Sequence, residues 1–296
     1  MQMTDSTKHQ GTLRFDEPMS AHTSWRLGGP ADRFFIPKDL ESLQFFLSGM
    51  PQNEPIHWVG LGSNLLIRDG GIRGTVIAVL NALSGLHRTN DGIVVAECGV
   101  TCSKFARFCQ KNGDFGGEFM AGIPGTIGGA LAMNAGAFGG ETWSFVERVD
   151  LIQRSGQIKS KLSAEFDVGY RSVDLMPDEW FVAAYFKLPK KTVDETGIRQ
   201  LLKKRNDSQP IGLPSCGSVF KNPPGHYAAQ LIEQSGLKGF KFRSVAVSDK
   251  HANFIISNRE SSARDIEALI AHIQNEVSAR FDIKLETEVR IIGEDE

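Results

Sequence analysis

Between Glu118 and Glu141 the chain runs for twenty-two residues without a charge, and seven of those residues are glycine. The stretch reads E-F-M-A-G-I-P-G-T-I-G-G-A-L-A-M-N-A-G-A-F-G-G-E. A membrane span needs roughly 20 apolar residues in one continuous helix. Seven glycines and Pro124 make a poor helix and therefore a poor span. Glycine has no Cβ to hold a ligand away, so such a run suits close approach of bare backbone to something large. Amides left unpaired at the start of a helix after Pro124 would face a phosphate or another acceptor. The segment is expected to be a wall against which a nucleotide cofactor is pressed.

The remaining sequence narrows what that wall belongs to. At 296 residues the chain has material for two domains, or three small ones, each with a core. A hydrophobic content of 41% and a charged content of 23% are those of an ordinary globular protein, and a net charge of −2 offers no basic field for nucleic acid. Residues 1–12 are polar and lack the apolar core of a secretion signal, so they read as a loose tail. Cys98, Cys102, Cys109 and Cys216 show no C-x-x-C spacing and no nearby histidine pair, which speaks against a metal site. They read as small buried hydrophobes in a reducing cytoplasm.

Strands are expected at 31–37, 56–61, 75–80 and 93–99, with a helix at 39–50 capped by Asp39. Thr101 caps a second helix that stops at Asn112-Gly113. Strands follow at 145–153, 157–161 and 180–188, the first two joined by the turn Arg154-Ser155-Gly156. A basic helix with Lys190, Lys191, Lys203, Lys204 and Arg205 bridges to a second region. That region holds a helix at 226–235, strands near 240–248 and 252–257, and a helix at 262–280 opened by the capping box Ser262-Ala263-Arg264-Asp265. Ile266, Leu269, Ile270, Ile273 and Val277 form its apolar stripe. A strand at 284–292 ends the chain. Strands and helices mix without βαβ alternation, so the class is α+β.

Neither G-x-x-x-x-G-K-[ST] nor a post-strand G-x-G-x-x-G is present, which disfavours ATP hydrolysis and a Rossmann site. Two glycine segments remain. Gly60, Gly62, Ser63, Asn64 and Leu65 leave an apolar strand, and Gly62 to Asn64 in a tight turn would present consecutive amides as an anion nest. A plain strand-end turn is the other reading of those residues. Gly122, Ile123, Pro124, Gly125, Thr126, Gly128, Gly129 and Ala130 form the second segment, and the pair suggests a pyrophosphate held between two loops.

G-S-N-L-L-I-R-D-G-G-I-R-G (62–74) together with G-I-P-G-T-I-G-G-A-L-A-M-N-A-G-A (122–137) resembles the FAD-binding domain of vanillyl-alcohol-oxidase (PCMH) type. Three further segments narrow the likeness: P-S-C-G-S-V-F-K-N-P (214–223), V-S-D-K-H-A-N-F-I-I (247–256) and L-E-T-E-V-R-I-I-G (285–293). Together they resemble the UDP-N-acetylenolpyruvoylglucosamine reductase family, in its shorter second type, over roughly residues 20–293. The resemblance implies a tail at 1–19, a two-subdomain FAD-binding region at 20–189 (about 20–83 and 84–189), and a smaller α+β substrate-binding domain at 190–296. It implies non-covalent FAD, NADPH as reducing co-substrate, and saturation of the enolpyruvyl ether of a UDP-sugar to give UDP-N-acetylmuramate for peptidoglycan. It further implies a cytoplasmic monomer with no membrane insertion.

That reaction needs hydride at the vinyl carbon distal to the carboxylate, which the flavin supplies. It also needs a group facing the enolate-like charge, and a proton for the carbon beside the carboxylate. The resemblance places the proton donor at Ser218; from the residues alone, a hydroxyl bonded to backbone is the plainer reading. Period-two geometry puts Glu286, Glu288 and Arg290 on one strand face, with Leu285, Thr287, Val289 and Ile291 on the other. A solvated face is the bland reading, but E-V-R at 288–290 matches the family's catalytic glutamate. Arg171, in Gly169-Tyr170-Arg171-Ser172, matches its active-site arginine, whose fork of donors suits a carboxylate. Tyr170, Lys221 and Asn222 are candidate substrate contacts, whereas Lys250 and His251 read better as structural.

The chain departs from the family pattern at His22-Thr23, at Ser172-Val173-Asp174-Leu175 after Arg171, and at Arg243-Ser244, where a glycine pair is usual. Two other readings stand beside the reductase. One is another FAD-dependent oxidase of the same fold; the other is a non-catalytic nucleotide-binding module.

Overall fold

Caps written into the sequence set the helices. The computed structural model describes residues 11–190 and 196–295. Its helices are α1 (Leu40–Ser48), α2 (Cys102–Lys111), α3 (Ile127–Ala132), α4 (Thr196–Ser208), α5 (Ala228–Gln234) and α6 (Ala263–Phe281). Asp39 accepts from the Ser42 amide at 2.8 Å, and the Ser42 hydroxyl accepts from the Asp39 amide at 3.1 Å, closing a reciprocal box at the head of α1. Thr101 caps α2 through the Lys104 amide at 3.2 Å. Ser262 caps α6 through the Asp265 amide at 3.1 Å, but Asp265 turns its carboxylate to Arg243 and Ser244. Only half of the expected box therefore forms.

The chain folds as two compact units that interleave along the sequence. Among the described residues, one comprises 11–14, 33–60, 74–190 and 196–202, and the other comprises 15–32, 61–73 and 203–295. The sequence-based division near 189 is thus replaced by one inside α4, with two early segments joining the C-terminal residues.

In the first unit, strands Ile158–Leu162, Val146–Gln153, Glu179–Phe186, Val94–Glu97 and Leu86–Arg88 form an antiparallel sheet in that order. Ile56–Val59 runs parallel to Thr75–Ala78. Leu43 and Leu47 of α1 pack with Ile77, Ile152 and Val182, while Phe105 of α2 and Ile127 and Leu131 of α3 pack with Val149, Phe181 and Phe186. Lys190 does not join a helix: its ammonium pairs with the buried Asp114. Lys191 lies outside the described residues.

In the second unit, α6 buries all five residues of the expected stripe in a core shared with Trp25, Leu66, Val219 and Phe220. Leu65–Ile67 pairs in parallel with Arg290–Ile292. This long-range pairing, together with the Trp25 indole N–H donated to the Ile255 carbonyl at 2.9 Å, draws 15–32 and 61–73 into the C-terminal unit. The last strand is Arg290–Ile292 rather than 284–292, because residue 287 makes only an isolated bridge to Phe220. The region near 240–248 is a tight hairpin of Lys241–Phe242 with Val245–Val247, which pairs in turn with Ile255–Ile256. The expected tail is also corrected: Thr12–Pro18 is a strand with mostly exposed side chains, and residues 1–10 lie outside the described residues.

Candidate active site

The residues singled out by sequence fall into two groups, one in each unit. In the second unit, Gly62 adopts φ +63°, and a Cβ there would lie 1.9 Å from the His22 carbonyl oxygen, so only glycine fits this turn. Its carbonyl accepts from the Ser24 amide at 3.1 Å. The amides of Gly62 and Ser63 donate to no partner among the described residues, although Gly62 is buried. Buried backbone donors are nearly always paired, so this turn is built to receive an acceptor. The Asn64 side-chain amide donates to the Glu288 carbonyl at 3.1 Å, and the Arg290 amide donates to the Asn64 carbonyl at 3.1 Å. The Glu288 segment is therefore tied to the glycine turn, ahead of the parallel pairing that begins at Leu65.

Ser218 belongs to the same unit. It sits half-buried between Gly217, at φ +71°, and the fully buried Val219, and its hydroxyl makes no hydrogen bond among the described residues. The Val219 carbonyl accepts from the Glu288 amide at 2.8 Å, which fixes the backbone spacing between the Ser218 and Glu288 segments. Along 285–291 the expected alternation holds in part: Leu285 and Val289 are buried and Glu286 and Arg290 exposed, while Thr287, Glu288 and Ile291 are all half-buried. The Lys221 amide donates to the Glu286 carbonyl at 2.9 Å and its ammonium lies 3.6 Å from the Glu286 carboxylate. Asn222 accepts from the Ala228 amide at 3.0 Å and so helps to start α5, a task its sequence context did not reveal.

The Arg243-Ser244 departure has a physical account here. Arg243 holds φ +50° in the hairpin turn, a strained setting for a non-glycine residue. Its guanidinium and the Ser244 hydroxyl both bind Asp265, at 3.0 and 2.7 Å, and anchor the turn to α6. The Ser244 and Arg243 contacts hold the Asp265 carboxyl below the usual carboxylate range. Lys250 and His251 both make backbone contacts: Lys250 reaches the Asn206 carbonyl, and His251 Nδ1 accepts from the Asn253 amide. Burial pushes the Cys102 and Cys216 thiols up to about 12, away from the thiolate form that a nucleophile needs.

In the first unit the second glycine segment is built differently. The expected row of open amides at the head of α3 is not there. Ile127 donates to the Val100 carbonyl, Gly128 to Cys98, Gly129 to the Thr126 hydroxyl and Ala130 to the Thr126 carbonyl. The physical reason is an antiparallel bridge between Thr101 and Thr126, which folds this backbone onto its own neighbours. From Gly125 to Ala130, only the Thr126 amide is unspent among the described residues, and Thr126 is 1% exposed. Glycines here serve packing: a Cβ on Gly60 would lie 2.3 Å from the Thr126 hydroxyl, one on Gly122 2.4 Å from the Phe138 ring and one on Gly128 2.9 Å from Cys98. Gly129 alone of these stays open, with nothing nearer than 3.7 Å.

Tyr170 and Arg171 form the turn of a hairpin made by Val168–Gly169 and Ser172–Val173, with Arg171 at φ +55°. Ser172-Val173, a departure in sequence, thus serves as the return strand. The Arg171 guanidinium donates to the carbonyls of Gly136 at 3.0 Å and Asn134 at 3.4 Å and lies 5.0 Å from the Tyr170 ring. Sequence reasoning missed Asn134. It is 2% exposed, donates to Glu141 and to the Gly169 carbonyl at 3.1 Å each, and accepts from the Trp143 amide. An asparagine inside a largely apolar glycine run was the available signal.

Within the second unit, consecutive unspent amides at the buried Gly62 and the half-buried Ser63 have the chemistry to receive a phosphate-bearing cofactor. Comparison with known proteins agrees. Residues 31–160 match an FAD binding domain, and residues 209–292 match the C-terminal domain of UDP-N-acetylenolpyruvoylglucosamine reductase. A reductase of that name from Coxiella burnetii is 49% identical over 99% of both chains, and one from Alkalilimnicola ehrlichii is 51% identical over 96% of both. A solved structure of such a reductase from Thermus caldophilus superposes with a TM-score of 0.81 at 27% identity, covering 95% of this chain and 98% of that one. An FAD-binding domain joined to a reductase C-terminal domain defines an FAD-dependent oxidoreductase of α+β class. The chain belongs to the UDP-N-acetylenolpyruvoylglucosamine reductase family.

Proposed function

We propose that this protein uses NADPH and FAD to reduce the enolpyruvyl ether of UDP-N-acetyl-3-O-(1-carboxyvinyl)-glucosamine, giving UDP-N-acetylmuramate. The observation that carries this reading is near-50% identity to reductases of that name along essentially the whole chain. Bound FAD supplies the hydride. Gly60, Gly62, Ser63, Asn64 and Leu65, with the segment Gly122 to Ala130, are the residues assigned to hold it.

The chain's own groups do the rest. Ser218 holds the proton for the carbon beside the carboxylate. A serine hydroxyl is a weak acid, but an enolate is basic enough to take its proton. Arg171 and Glu288 are the groups assigned to stabilise the charge that grows on the substrate carboxylate. The carbonyls of Asn134 and Gly136 orient the guanidinium, so little ordering remains to be done when the anion arrives. Tyr170, Lys221 and Asn222 are assigned to the substrate's sugar and diphosphate. The reading includes a cytoplasmic monomer; four cysteines held as buried free thiols suit a reducing compartment. No helix of the described residues is long and apolar enough to cross a membrane.

An anaerobic titration followed by flavin absorbance tests the reading. NADPH should bleach the yellow protein and the enolpyruvyl sugar nucleotide should restore its colour. Reoxidation by air with no response to the sugar nucleotide would instead mark an oxidase. Ser218→Ala should leave bleaching nearly intact and slow recovery at least about 100-fold, the scale of general-acid catalysis. Equal loss in both half-reactions would remove Ser218 as the donor.

A further inference from the structure

We infer that Asn253 is a positioning residue for Ser218, acting as a side-chain strand partner that locks the backbone immediately after it. The inference rests on the reading of Ser218 as proton donor. Asn253 is 4% exposed, and its backbone carbonyl and both side-chain polar atoms are spent on two consecutive residues. Its backbone carbonyl accepts from the Val219 amide at 2.9 Å. Its side-chain oxygen accepts from the Phe220 amide at 2.9 Å, and its side-chain nitrogen donates to the Phe220 carbonyl at 2.8 Å. The orientation of this amide is unambiguous, because a backbone N–H only donates and a backbone carbonyl only accepts.

The opposite edge of the same two residues is held by the segment that carries Glu288. Glu288 and Val289 donate to the Val219 carbonyl at 2.8 and 3.3 Å, Phe220 bridges Thr287, and Lys221 donates to the Glu286 carbonyl. Val219 and Phe220 are therefore clamped on both sides, Asn253 on one and 286–289 on the other. Ser218 stands at the end of this clamped pair, preceded by Gly217 in the left-handed region with open space around its Cβ position. Support for the Ser218 hydroxyl thus comes from its C-terminal side.

No other residue type supplies this pattern at this reach. Aspartate keeps the acceptor for the Phe220 amide but sets a carboxylate against the Phe220 carbonyl. Alanine leaves both Phe220 groups unpaired at a residue 1% exposed. Loss of the clamp lets Ser218 drift relative to Glu288, and a misplacement of about 1 Å is worth roughly 100-fold in rate.

The test combines Asn253→Ala and Asn253→Asp with Ser218→Ala in the FAD-loaded enzyme. Three quantities are read: the rate at which enolpyruvyl sugar nucleotide reoxidises prereduced protein, the rate of reduction by NADPH, and hydrogen exchange at the Phe220 amide. Asn253→Ala should slow substrate-driven reoxidation about 30- to 100-fold. It should leave reduction by NADPH within about twofold, speed exchange at Phe220, and cost nothing further in the Ser218→Ala background. Asn253→Asp should fall between alanine and wild type, and it carries the same comparison if the alanine variant does not fold. Loss of both half-reactions together, or an equal factor in the Ser218→Ala background, would overturn the positioning role alone. A Ser218→Ala enzyme that reoxidises at the wild-type rate would sink the donor reading, and the positioning role with it.

Discussion

The two glycine segments look alike in sequence and do different things. At Gly62-Ser63 the backbone holds φ +63° and leaves consecutive amides unspent, so glycine there creates a donor site. Along Gly122–Ala130 nearly every amide is consumed by neighbouring chain, and glycine there makes room for Phe138 and Cys98. One turn is shaped to offer hydrogen bonds and the other to be thin. A glycine count alone does not separate these uses; the fate of each amide does.

The largest effect should come from Gly62→Ala. Left-handed backbone in a non-glycine residue and a Cβ 1.9 Å from the His22 carbonyl together should cost about 3 kcal/mol or more. Chemical denaturation would show it, with loss of FAD at ambient temperature. A variant that unfolds like the parent and stays yellow would mean the turn is not fixed in this form.

Gly122→Ala should be milder, about 1–3 kcal/mol, because its Cβ meets the edge of the Phe138 ring at 2.4 Å and a ring can move. If thinness is the point, Phe138→Ala in the same chain should recover most of that loss. A double variant no more stable than Gly122→Ala would show that Phe138 is not what the glycine accommodates.

How far the sequence carried follows from which signals are local. The helix caps Asp39, Thr101 and Ser262 and the stripe of α6 were legible because a cap and its recipient amide lie within three residues. The pairing of Leu65–Ile67 with Arg290–Ile292 was not legible, since nothing in either triplet names a partner more than two hundred residues away. For the same reason the interleaved units escaped a division drawn along the chain. The strand Thr12–Pro18 was read as tail because its side chains are mostly exposed and show no buried alternation. Ser218, Arg171 and Glu288 were reached by resemblance; the residues holding their segments, Asn253 and Asn134, bind backbone and leave no spacing to detect.

Gly129→Ala separates packing from ligand contact. Its Cβ would meet only the Thr126 hydroxyl at 3.7 Å, inside α3, so stability should hold or rise by up to about 1 kcal/mol. FAD affinity, measured by fluorescence of the released cofactor, should nevertheless fall about tenfold (about 1.4 kcal/mol) if this open face is where the cofactor lies. Unchanged affinity would reduce the second segment to a packing device and leave Gly62-Ser63 as the better-supported cradle.

The smallest effect compares the units by acid. His57 in the first and His251 in the second are both held below the usual histidine pKa of 6.5, His57 by burial and His251 by burial with Lys238 adding to it. A base whose folded pKa is depressed binds protons more readily when unfolded. Stability is therefore full above pH 6.5 and declines as pH falls through the folded-state values. His251 has a second reason to stay neutral: its Nδ1 accepts the Asn253 amide at 3.3 Å, a bond that protonation removes. Equilibrium unfolding between pH 7 and 5 should accordingly flatten more with His251→Gln than with His57→Gln. Equal flattening would mean burial alone sets both responses, and no flattening with His251→Gln would mean its ring is not held neutral against the segment that grips Val219 and Phe220.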